Sequence, residues 1–311
     1  MKKTAPPLLS LISAALALIA TLPTASAQIY VSVLNNGNGF VGEYNATTGA
    51  AINAGLITGL SGPEDLVLSG NNLFVATYGS GNVGIYNATT GAAISANFIT
   101  GLNGPTGLLL SGNNLFVSNY GSTTVGEYDA TTGAAINASF INGLNGPEEL
   151  ALSGNHLFVA NFNNGVIGEY DATTGAAINA SFITGFADPT GVAISGNHLF
   201  LTDSRGSTVG EYDATTGAVI NANFVTGLTN PWGLTISGNN LFVSNDAPNF
   251  ATVGEYNATT GATINSSFVS GLNSVVYVAA SPAPEPGTAN LAVLGGVGFL
   301  IRRRRNSAAR Q

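Results

Sequence analysis

The sequence contains no cysteine, one methionine, one tryptophan and two histidines. The first absence removes disulfides, thiol catalysis and cysteine-ligated zinc together. A chain without disulfides must be held by its core alone. Charge is also scarce, at 8% of residues against about 25% in an average soluble domain. Solubility then rests on Asn, Thr, Ser and backbone amides. Bases are rarest of all: between residues 28 and 286, Arg205 stands alone beside all 16 acids. Nucleic-acid binding needs Lys and Arg to neutralise phosphates, so this balance counts against it. An acidic body suits cations, or simply solubility. There is no Gly-rich phosphate loop, no Gly-x-Ser-x-Gly elbow and no His-Glu-x-x-His metal motif.

Glycine is plentiful, at 41 of 311 residues, as tight turns require. So is one phrase, Tyr-(Asn/Asp)-Ala-Thr-Thr-Gly. It recurs at Tyr44, Tyr86, Tyr128, Tyr170, Tyr212 and Tyr256, in steps of 42, 42, 42, 42 and 44 residues. A fixed period of this size means a solenoid, a propeller or an array.

One unit, residues 104–145, shows what repeats. Gly104-Pro105-Thr106-Gly107 is expected as a turn. Leu108 to Leu110 reads as strand a, and Ser111-Gly112-Asn113-Asn114 as a hairpin turn. Leu115 to Asn119 reads as strand b and Val125 to Tyr128 as strand c. Asp129 to Gly133 is a turn that the Asp side chain can close, and Ala134 to Ile141 reads as strand d. No stretch of the unit has the i, i+3, i+4 apolar spacing of a helix.

Pro63, Pro105, Pro147, Pro189 and Pro231 open five complete units. Residues 29–60 supply strands b, c and d with no strand a, and residues 271–281 supply a strand a alone. A closed ring explains a repeat split this way, because pairing the ends inside one sheet removes the ragged junction. The expected fold is therefore all-β: a six-bladed β-propeller over residues 28–281, its last blade closed by N- and C-terminal strands. Repeated aromatics then read as core. Tyr30, Phe74, Phe116, Phe158, Phe200 and Phe242 are equivalent on strand b. Phe98, Phe140, Phe182, Phe224 and Phe268 are equivalent on strand d, with Leu56 in the sixth place.

The blade opening Gly104-Pro105-Thr106-Gly107-Leu108-Leu109-Leu110, followed by Asn114 to Asn119, resembles NHL and YVTN-type propeller repeats. The resemblance covers roughly residues 29–281. It implies the fold and leaves function open, since propellers host many chemistries and many binding roles.

The two ends read as addresses. Residues 1–27 form a signal peptide: Lys2 and Lys3, an apolar run from Leu8 to Leu22, and the cleavage site Ala25-Ser26-Ala27. The helix-breaking Pro23 and the small residues favour cleavage over a retained anchor. Residues 282–311 contain Pro284-Glu285-Pro286, an apolar stretch from Ala289 to Ile301, and Arg302-Arg303-Arg304-Arg305. That stretch, as a helix, is about 20 Å long and crosses a bilayer core of ~30 Å only by thinning it. In order, these three parts resemble the PEP-CTERM sorting signal of Gram-negative bacteria. The resemblance implies processing by signal peptidase and an exosortase, a transient inner-membrane stage with the arginines cytoplasmic, and release to the cell surface or outside.

A binding site is sought where copies differ, since packing asks the same of every blade. The residue after the opening proline is Glu64, Thr106, Glu148, Thr190 or Trp232, with Val276 in the closing blade. The next is Asp65, Gly107, Glu149, Gly191, Gly233 or Tyr277. Strand b ends in Val33, Thr77, Asn119, Asn161, Asp203 or Asn245, with Asp246 following. Propeller topology places all of these on one face near the channel. Carboxylate and amide oxygens around an opening suit a hard cation such as calcium. Six-bladed lactonases and gluconolactonase-like enzymes, which the fold resembles, hold such a metal with Glu, Asn and Asp. That resemblance implies metal-assisted ester hydrolysis as the alternative function. The departure is that this face has no His: His156 and His198 fall in exposed turns on the other side. Glu43, Glu127, Glu169, Glu211 and Glu255 recur, but Ile85 takes the same place once, so the position reads as structural. The expectation is an exported, monomeric, non-enzymatic propeller that binds a partner such as a glycan or matrix protein.

Overall fold

A computed structural model describes residues 27–35, 38–247 and 250–281. The expected signal peptide and sorting tail, apart from Ala27, lie outside the described residues. The described residues form six four-stranded antiparallel sheets. Five are contiguous blades, numbered 1 to 5 here, over residues 63–100, 105–141, 147–184, 189–225 and 231–272. The sixth joins Val275–Ala280 to Gln28–Val33, Gly39–Asn45 and Ala51–Leu60. Its seam pairs Ile29 with Ala280, Tyr30 with Ala279 and Val31 with Val278. The chain is a six-bladed β-propeller, and the split repeat closes it.

Blade 2 shows the register. Its strands are Pro105–Ser111, Asn114–Asn119, Thr124–Asp129 and Ala135–Ile141. The expected turn at residues 104–107 is corrected: Gly104 alone turns, with φ +62°, and strand a begins at the proline. Proline is tolerated as the first residue of a strand, where its missing N–H breaks no ladder bond. Pro105 pairs with Asn119, and a bulge follows before Leu108 pairs with Val117. Thr106 and Gly107 lie in that bulge, which frees them from the ladder.

The core lies between blades rather than at one centre. Each strand b aromatic is at most 2% exposed. Within blades 1 to 5, its ring lies 5.1–5.8 Å from the strand d phenylalanine. Apolar clusters join neighbours: Phe116, Val125, Phe140 and Ile141 of blade 2 pack with Leu150, Leu157, Val159 and Tyr170 of blade 3. Burying such a ring stabilises the fold by about 2–3 kcal/mol.

The repeated phrase has two structural roles. In blade 2, Asp129 Oδ1 accepts bonds from the amides of Thr131 and Thr132 at 3.0 and 2.7 Å, closing the turn. Gly133 then turns at φ +74°, and a Cβ there would lie 2.4 Å from the Phe98 carbonyl oxygen of blade 1. All six copies repeat this approach, Gly49 meeting Phe268 across the closure and Gly91, Gly175, Gly217 and Gly261 meeting Leu56, Phe140, Phe182 and Phe224. The motif is therefore a clasp between blades. His156 and His198 sit at strand starts, half-exposed, with Nδ1 at 2.6 and 2.7 Å from Glu169 and Glu211. Asn114 and Asn240 donate to Glu127 and Glu255 in the same way. These pairs give the recurrent glutamates a structural role.

Candidate functional site

Strand a of every blade pairs with strand b alone, so its other edge faces the channel with unpaired amides. A buried N–H without a partner is costly. Asp65 answers two of them: its oxygens accept from Leu66 N in its own blade and Leu108 N in the next, both at 2.7 Å. Glu149 accepts from Val192 N of the following blade at 2.9 Å. Thr106 and Thr190 donate to the Pro147 and Pro231 carbonyls, again one blade on. Asp65, Glu149 and Tyr277 are large where Gly107, Gly191 and Gly233 have no side chain. A Cβ on Gly107 would meet the Glu148 backbone, and one on Gly233 the Tyr277 ring. The large residues thus fill the channel that the glycines leave open. Asp65 and Glu149 plug and stitch it, a structural use that the acidic-rim reading lacked.

Glu64 and Glu148 are one position earlier and open to the channel mouth. Glu148 accepts from the Tyr277 hydroxyl at 3.1 Å. Glu64 accepts no hydrogen bond among the described residues and keeps solvent access through a pocket of about 270 Å³. The wall of that pocket is aromatic. Tyr78, Tyr120 and Phe162 occupy the same place in blades 1, 2 and 3, the first residue after strand b. Their ring centroids step round at 6.4 Å each. The next blade has Ser204 there, and Trp232 of blade 5 fills the gap, stacked on Phe162 at 6.1 Å and 15°. Gly104 and Gly146 leave room for the Tyr78 and Tyr120 rings, which a Cβ would approach to 2.7 and 2.8 Å.

Burial is the main electrostatic force on this cluster. It pushes the Asp65 carboxyl up to about 7, against the pull of its two amide bonds. It pushes Glu148 up to about 8, partly offset by the Tyr277 hydroxyl. Glu64 is held well above the usual carboxylate range by burial and by Glu148 and Asp65 nearby. Glu149 rises for the same reasons, with Asp65 its strongest charged neighbour. The Tyr277 phenol is raised well above its ordinary value by burial and the surrounding acids.

Of the sequence-predicted residues, Glu64, Glu148 and Trp232 share the pocket. The end-of-strand-b oxygens do not join them. Asn161 Oδ1 accepts from Asn145 N at 3.0 Å, and Asn245 Oδ1 from Thr229 N at 2.6 Å. Asp203 accepts from Ala187, Asp188 and Gly206 amides, each at 3.0 Å. Asn119 Oδ1 is buried without a partner, its Nδ2 donating to Val117 O. Asn161, Asp203 and Asn245 close loops, and among the described residues no three His, Asp or Glu side chains group as a metal site. The calcium-hydrolase alternative gains no support from this geometry. Sequence reasoning missed the aromatic arc. Its signal was present one residue beyond the strand ends, where three successive copies carry Tyr, Tyr and Phe and the next carries Ser.

No protein-family model matches this chain, and no curated protein matches it either. Among solved structures, it is similar to a chain of a nidogen/laminin complex, at 13% identity and a TM-score of 0.67, over 83% of this chain and 99% of that one. It is also similar to the computationally designed Ika8 protein, at 16% identity and a TM-score of 0.48, over 82% and 78% of the two chains. At such identity the first likeness bears on fold alone, and it agrees with the class read from the sheets: a β-propeller.

Proposed function

We propose that the chain is an exported binding module that captures an exposed group of an envelope or matrix partner, a glycan or a protein, in the aromatic-walled channel mouth. The observation that carries this reading is the arc of four rings over Glu64 and Glu148, built from four different blades. Packing alone gives no reason for it, since the same loop position holds Ser204 and Asp246 elsewhere. Aromatic faces with a few placed polar groups are the usual make-up of a recognition site. No serine, cysteine or histidine lines the pocket, and its one threonine hydroxyl, Thr106, donates to the Pro147 carbonyl, so the lining supports binding over a Ser–His or thiol mechanism. Export, exosortase processing and surface delivery rest on the resemblance of the two ends to a signal peptide and a PEP-CTERM tail. The similar nidogen/laminin chain also comes from a complex between proteins.

The test is a glycan array together with pulldown from extracellular matrix, comparing the chain with Trp232→Ala and Tyr120→Ala. Capture that both variants lose supports the reading. Blank results on both surfaces, or capture unaffected by the variants, overturn it.

A further inference from the structure

Resting on that reading, the site chemistry points to a narrower class of ligand. We infer that the channel mouth binds an organic cation, an alkylammonium group seated against Trp232 and Phe162 with Glu64 and Glu148 beneath it.

Four observations converge. First, two carboxyl groups open to one pocket that no base lines. The single base among the described residues, Arg205, is held by Asp188 at 2.9 Å. Second, Glu64 has no hydrogen-bond partner among the described residues; an ammonium N–H would supply one, and a quaternary ammonium would act on it through charge alone. Third, the wall is continuous ring surface. The faces of Trp and Tyr attract cations through their quadrupole, and aromatic cages with a carboxylate are suited to ammonium groups. Fourth, the pocket, about 270 Å³, falls just under the ~300 Å³ of the smallest drug-sized sites. It fits a head group rather than a long ligand. A neutral sugar also stacks on aromatic faces, but only a cation also favours the charge that burial suppresses on Glu64 and Glu148.

Trp232 is the sole tryptophan, so its emission reports occupancy directly. The full chain is titrated with choline, with Nα-acetyl-lysine methylamide, and with 3,3-dimethylbutan-1-ol, the uncharged shape-match of choline. Saturable change with either amine is expected, with the alcohol at least tenfold weaker. Stronger binding of choline assigns the group to a quaternary ammonium, and stronger binding of the lysine derivative to a side chain. Glu64→Gln is expected to weaken the amine at least tenfold without lowering the unfolding midpoint, since Glu64 supports no hydrogen bond and its buried charge is removed. Equal binding of the alcohol, an unchanged Glu64→Gln affinity, or no response to either amine overturns the inference. If amines fail while array capture still depends on Trp232, the binding reading survives and the cation does not. If both fail, both are wrong.

Discussion

Raising the pH from 5 to 9 should weaken this propeller, the reverse of what carboxylates paired with bases would produce. Asp65 moves from 3.8 to about 7 on folding and Glu148 from 4.5 to about 8. Between about pH 4 and pH 8 the folded chain therefore holds protons that the unfolded chain has released. Stability is greatest below the unfolded values and is lost as pH rises through the folded ones. At ~1.4 kcal/mol per unit, each shift amounts to roughly 4 kcal/mol. Both groups sit in one cluster with Glu64, Glu149 and Tyr277, so the protons leave in joint steps and the two figures do not simply add. Urea unfolding followed across this range reads the effect. With a slope of ~3 kcal/mol per molar, a loss of 4 kcal/mol lowers the midpoint by more than 1 M. Glu148→Gln keeps an oxygen for the Tyr277 hydroxyl and removes the charge. It should raise the midpoint at pH 9 and change little at pH 5. A midpoint that is flat or rises from pH 5 to 9, or a Glu148→Gln profile parallel to that of the unaltered chain, refutes the reasoning.

Gly133→Ala places a methyl 2.4 Å from the Phe98 carbonyl at a φ of +74°, and should destabilise the fold by about 2 kcal/mol or more, seen as a lower melting temperature. Phe116→Ala empties the space between blades 2 and 3 and should cost about 3–5 kcal/mol in the same melts. In Asp171, turn hydrogen bonds hold the carboxyl below its ordinary range, so its contribution is lost only as pH falls through that lowered value. Asp171→Asn, the residue of other copies, should leave the midpoint at pH 7 unchanged and blunt the acid limb of the curve.

The fold was legible because a propeller repeats its demands. Every blade has a ring on strand b and a glycine at the clasp, and the five contiguous blades have a proline at the first residue of strand a. A 42-residue period therefore exposes core and turns together. The strand a boundary was misplaced by three residues because Gly-Pro reads locally as a turn, whereas the channel edge draws the chain straight from Pro105. The site was half legible. Glu64, Glu148 and Trp232 stood out as departures from the repeat. Asn161, Asp203 and Asn245 stood out equally, yet their oxygens face loop amides. Sequence difference marks a special position without saying which way its side chain points.

Blade number, the split sixth blade and the ring of core aromatics were determined by the sequence alone, since each follows from counting equivalent positions around a closed circle. The aromatic-walled pocket was decided by tertiary structure. Residues 64, 148 and 232 hold one position of the repeat and residues 78, 120 and 162 another, and the two sets meet in one pocket only because closure turns four blades inward on one axis. The same closure makes Asp65 and Glu149 stitches and sets Glu64 and Glu148 against the pocket. Neighbouring residues in a bulged edge strand turn to opposite sides, so one step along the chain separates a channel stitch from a pocket wall.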